Sequence, residues 1–89
     1  MKAIVVVVGM DKPGIVAGVA TALANHNVNI MDISQNYSRE FFTMILVVDF
    51  TKSKSSLKEV DDELKNVGKK LGVFISIQHE DVFRAMHRI

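Results

Sequence analysis

Asp11-Lys12-Pro13-Gly14 combines an acid, a proline and a glycine at the point where a run of β-branched residues gives way to helical spacing. A helix that starts here offers unpaired N–H donors and the positive end of its dipole, which suit a carboxylate. Gly14 has no Cβ to obstruct approach, and Ile15 supplies the next amide. The same residues also have a structural explanation. Asp can cap a helix, Pro is tolerated in the first turn, and Gly lets the backbone pack closely. On capping preferences alone the turn is structural, and a binding role needs a second element from an adjacent strand or another subunit.

Other chemistry-bearing residues are sparse. Asp32 and Gln35 fall on or near the second strand, where pairing or solvent exposure is the default and ligand orientation the sharper reading. Ser34 has no neighbouring signature of an activated nucleophile. His26, His79 and His87 fall in separate elements without a metal-ligand spacing, so no metal or cofactor is expected. His26 near a helix C-terminus is favourable through the dipole alone. His79 with Glu80 and Asp81 reads as a strand end and helix cap. Met10 and Met31 are candidates for an apolar pocket wall, against the plainer role of core packing. No paired acid and base is present, so an enzyme is not expected.

The elements that must hold these groups follow from periodicity. "KAIVVVV" (2–8) reads as a strand ending at Gly9. Ile15, Val16, Val19, Ala20 and Leu23 form one helical stripe, ending near Asn25-His26-Asn27, where Asn suits the left-handed conformation. "VNIMDISQNY" (28–37) alternates apart from Met31, "SRE" (38–40) is a hairpin turn, and "FFTMILVVDF" (41–50) is a strand. Leu57, Val60, Leu64, Val67 and Leu71 make a second helix, with Gly72 as its C-terminal cap. "VFISIQH" (73–79) is the last strand, and "EDVFRAMHRI" a short terminal helix with Val82, Phe83 and Met86 on one face.

The order is β-α-β-β-α-β. Strands 3–8 and 41–50 are apolar on both faces and belong in the middle; 28–37 and 73–79 belong at the edges. The fold expected is α+β, a ferredoxin-like sandwich of residues 1–89 with both helices on one sheet face. The apolar residues on the other face call for cover, by self-association or by the C-terminal helix, and predict a homo-oligomer, most simply a dimer.

Composition narrows the function classes. Eleven basic and ten acidic residues give a net charge of +1, no electrostatic footprint for nucleic acid or an anionic membrane. RNA-binding modules of this topology stack bases on aromatics of both central strands, and the first strand here has none. The apolar run after Lys2 is too short for a signal core and no stretch approaches a membrane span, so a soluble cytosolic domain is expected. The chain has no cysteine, which removes disulfides and thiolate metal sites.

The pattern strand–"DKPG"–amphipathic helix–"VNI" resembles the ACT domain, a small regulatory module, over essentially the whole chain. Asp11, Pro13 and Gly14 match its turn, and Asn29 and Ile30 match the start of its second strand. "NIMDISQ" (29–35) is similar to small stand-alone members akin to the glycine-cleavage transcriptional repressor. The resemblance implies a homodimer that binds a small amino acid near the subunit interface and acts on a regulated protein partner. Gly14 and Ile15 would hold the carboxylate, Asp11 the ammonium group, and Asn29 would hydrogen-bond the ligand across the interface. Many serine-binding members carry Asn in place of Asp11 and a histidine two residues earlier, where this sequence has Gly9. The alternative is an oligomerisation or protein-interaction domain without a small-molecule ligand.

Overall fold

The first strand does not stop at Gly9. In the computed structural model, which describes residues 1–86, β1 runs Lys2–Met10 and passes straight through the glycine. Gly9 pairs with Phe42 on the neighbouring strand, and a Cβ at this position would stand 2.7 Å from Val73 Cγ1. Glycine is here because another chain segment packs onto the strand, a use of the residue that resembles a turn signal in sequence.

Four strands form one antiparallel sheet in the order β2-β3-β1-β4, with β2 at Asn29–Ser38, β3 at Phe41–Asp49 and β4 at Phe74–His79. The expected arrangement of centre and edges holds. A β-bulge between Ile30 and Asp32 explains why Met31 blurs the alternation of β2, since an extra residue there resets the pleat. On one face Ala3, Val5, Val7, Phe42, Met44, Leu46, Val48, Ile75 and Ile77 are buried. Against them pack Val19 and Leu23 of α1 (Ile15–Asn25) and Val60 and Leu64 of α2 (Leu57–Leu71), closing the core.

Both helix ends follow the sequence. Asn27 at the end of α1 has φ +54, and Gly72 after α2 has φ +69. Ser56 opens α2 with a reciprocal capping box: the Glu59 N–H donates to Ser56 Oγ at 3.1 Å, and the Ser56 N–H donates to Glu59 Oε1 at 2.9 Å. The Ser56 amide, then its hydroxyl, hold the Glu59 carboxyl below its ordinary range. The Thr51 hydroxyl, then its amide, do the same for Asp49. With folded values below unfolded ones, this stabilisation is present above the ordinary carboxylate range and is lost as pH falls through the lowered values. Unfolding stability should therefore drop as pH falls from about 5 to below about 4. Ser56→Ala, expected to cost about 1 kcal/mol near neutrality, should flatten that acid limb in pH-resolved thermal melts.

The opposite sheet face is open. Val8, Met10, Phe41, Ile45 and Phe74 are exposed there, flanked by Ser34, Asn36 and Ser38 of β2 in register. A terminal helix, α3 (Glu80–Met86), approaches β1 and β4 and, among the described residues, neither other helix. Ile4, on the open face, is nearly buried while Val8 is not, which fits cover at the α3 end alone. The Asp81 N–H donates to His79 Nδ1 at 3.0 Å, the expected strand-end cap. Val82 and Met86 of α3 stay exposed. His87 lies outside the described residues.

Candidate functional site

Asp11 is not the helix cap. The helix begins at Ile15, and its N-cap is Gly14 at φ +93 and ψ −5, with no side-chain capping bond. The reason lies in the register. The Asp11 N–H donates to the Glu40 carbonyl at 2.9 Å, which continues the β1–β3 pairing one residue past Met10 and leaves the chain to turn through Pro13-Gly14. Only Leu71 Cδ2, at 3.9 Å, would meet a Cβ on Gly14, so glycine is required there by the left-handed backbone and not by crowding. The amides of the first turn have no intrahelical partners, as at any helix start, and among the described residues no side chain takes their place. Asp11 is exposed beside them. Ile15 buries its side chain in the core and can offer a ligand only its main chain.

Asn29 stands at the other end of the sheet. It pairs in register with Asp49, which pairs with Lys2, whereas the turn follows Met10. Lys2 and Met10 are eight residues apart on β1, about 27 Å at the rise of an antiparallel strand. Asn29 is exposed, and its amide donates to Met31 Sδ at 3.3 Å. Ile30 points to the helix side, packed against the core, so its side chain serves the fold. Met10 and Met31 are likewise at opposite ends and form no common pocket wall. Asp32 lies on the open face opposite Val47, and Gln35 on the helix side opposite Met44, both exposed.

Beside Asn29 the structure has an open cleft of about 690 Å³, lined by Asn27, Val28, Asn29, Asp49, Thr51 and Lys52 among others. Asp49 is fixed within it. Its Oδ1 accepts from the Thr51 hydroxyl at 2.7 Å and the Thr51 N–H at 3.0 Å, with the chain's amino terminus 3.8 Å away. The strand end and polar loop gave no sequence signal for this, because the residues converge from two connections, the one between α1 and β2 and the loop after β3.

His26 carries more than a dipole contact. Its Nδ1 is 2.5 Å from Ser55 Oγ and its Nε2 2.6 Å from Glu63 Oε1, while the Ser53 hydroxyl donates to its carbonyl. These bonds tie the end of α1 to the loop before α2 and to α2 itself. A latch between elements is what the geometry provides. His26→Ala should cost about 1–3 kcal/mol in chemical denaturation, by leaving Ser55 and Glu63 without this partner, toward the low end because Glu63 reaches solvent.

Residues 2–78 match the ACT domain profile. A UPF0237 protein of Methanopyrus kandleri is 49% identical over 88 residues, spanning 99% of this chain and 98% of its own. The solved structure of an ACT domain protein from Streptococcus pneumoniae superposes with a TM-score of 0.81 at 44% identity, covering 93% of each chain. A putative glycine cleavage system transcriptional repressor superposes at 0.73 with 22% identity, over 86% of this chain and 44% of that one, a likeness of fold.

Proposed function

Since this chain belongs to the ACT domain family, we propose that it is a non-catalytic cytoplasmic regulator that binds a small amino acid between two copies of itself. The observation that carries this reading is the separation of its two polar elements. An uncapped helix start at Gly14-Ile15 and the Asn29 amide are both ligand-competent, yet they lie at opposite ends of one sheet. A twofold axis beside the edge strand β2 would set the Asn29 end of one copy against the Ser38 end of the other, on the side of its Gly14 turn. The carboxylate then meets the amides of Gly14 and Ile15, and Asp11 is available to the ammonium group. Asn29 and the main chain at Ile30 complete the site from the second copy.

Two features favour self-association. β2 is a ten-residue edge with its outer hydrogen-bonding groups unpaired among the described residues, and Asp32 is its sole charged residue. Long edges of this kind recruit another strand unless blocked. The open face adds exposed Val8, Phe41, Ile45 and Phe74. Gly9 bears on specificity, because Val73 fills the space a larger side chain would need at that position. A histidine-assisted mode of ligand recognition has no place here, and the ligand must be read by other groups.

Titration calorimetry and thermal shift against the twenty amino acids test the proposal. A ligand at 100 times its Kd raises stability by about 2.7 kcal/mol. Sedimentation at tens of micromolar should give a dimer. Absence of any amino-acid response from a dimeric protein would leave the ligand-free interaction domain as the function.

A further inference from the structure

We infer that the cleft at the far end of α1 reads the ligand's charges, with Asp49 taking the ammonium group and Lys52 the carboxylate. The inference rests on the amino-acid reading above and departs from it in two assignments, moving the ammonium from Asp11 to Asp49 and adding Lys52 to the Gly14 and Ile15 amides at the carboxylate. Three observations lead to it. First, a cleft of about 690 Å³ is within the range of small-molecule sites, and Asn29 lines it. Second, Asp49 is a pre-positioned anion. Thr51 contributes two donors to Oδ1, which hold the carboxyl below its ordinary range, the chain's own amino terminus lies 3.8 Å from the same oxygen, and Oδ2 is left without a bond among the described residues. Third, Lys52 lines the same cleft and makes no ion pair among the described residues.

A carboxylate, an ammonium and an amide around one cleft with Val28 in its floor match an α-amino acid better than a simple anion or cation. Each end of a zwitterion finds an opposite charge, and Asn29 can donate to one end and accept from the other. Asp11 offers no comparable site. Its side chain is exposed and makes no bond among the described residues, so nothing orients it. In the paired arrangement the Gly14 and Ile15 amides of the second copy add to Lys52 at the carboxylate.

The experiment is calorimetry on the full chain with the twenty amino acids, each beside its N-acetyl derivative, for wild type, Asp49→Asn, Lys52→Gln and Asp11→Asn. Asp49→Asn keeps an oxygen for Thr51 but loses the charge, so it should melt slightly below wild type while staying folded, and Lys52 lies on an exposed loop, so Lys52→Gln should melt near wild type. Wild type should prefer the free amino acid to its N-acetyl form. Asp49→Asn and Lys52→Gln should each weaken binding by about tenfold or more. Asp49→Asn should also erase the preference for a free ammonium, while Asp11→Asn binds as wild type. Wild-type affinity in both Asp49→Asn and Lys52→Gln overturns the inference and leaves the sensing proposal standing. Loss in Asp11→Asn with retention of the preference in Asp49→Asn does the same. No binding by wild type overturns both.

Discussion

Phe42→Ala should lower the free energy of unfolding by about 3–5 kcal/mol, enough to bring a domain of this size near its folding limit. Phe42 is 1% exposed on the helix-facing side of β3, near the start of the strand. Its cross-strand neighbours are Gly9 on β1 and Tyr37 on β2, with the Tyr37 ring centroid 5.1 Å away. The ring thus lies beside a strand position that has no side chain of its own. Alanine would leave Gly9 facing a void that backbone strands on either side cannot collapse to fill. Urea unfolding should show a lower midpoint with an unchanged slope, the mark of lost stability without altered compactness. Phe41→Ala, one residue away on the open face, supplies the contrast. Its side chain is 52% exposed, so the unfolding cost should be small, and any large effect should appear in the dimerisation constant.

That contrast between adjacent residues was only half legible in the sequence. Period-two alternation puts Phe41 and Phe42 on opposite faces, but with strand 41–50 apolar on both it does not say which is buried, whereas the 3.6-residue period places Val60 and Leu64 on the inward stripe of α2. Local conformational signals were legible too: Asn27 and Gly72 sit in the left-handed region where the helices end. What misled was any residue whose local preference was overridden by a distant neighbour. Gly9 reads as a breaker, but its role is set by Val73, sixty-four positions on. Asp11 reads as a cap, but the Glu40 carbonyl holds its amide in the strand register. The His26 bonds join residues 29 and 37 apart in sequence, and no periodicity encodes such a meeting. The same holds for the candidate site. Gly14 and Asn29 were visible through a family pattern, while Asp49 and Lys52 became candidates only when the β3 end and the following loop folded beside Asn29.

Gly14→Val should weaken amino-acid binding by about a hundredfold or more, corresponding to two lost amide bonds to a charged group. The cause is conformational. A Cβ on Gly14 meets nothing closer than 3.9 Å, so valine would fit the space, but a β-branched residue is a severe outlier at φ +93. Holding it there should cost about 1–3 kcal/mol, and relaxing φ would rotate the peptide that aims the Ile15 amide. Gly14→Asn separates the two effects, because asparagine tolerates the left-handed region while adding a larger polar side chain. If amide direction is what binds the carboxylate, the asparagine variant should keep affinity within a few-fold and melt close to wild type. Valine should lose both, with circular dichroism and sedimentation confirming a folded dimer below its lowered melting temperature. Equal losses in the two variants would mean that bulk at the turn matters and amide direction does not. Wild-type affinity in the valine variant would take the carboxylate away from this helix start altogether, since no L side chain of that shape can leave the turn unmoved without the strain appearing in the melt.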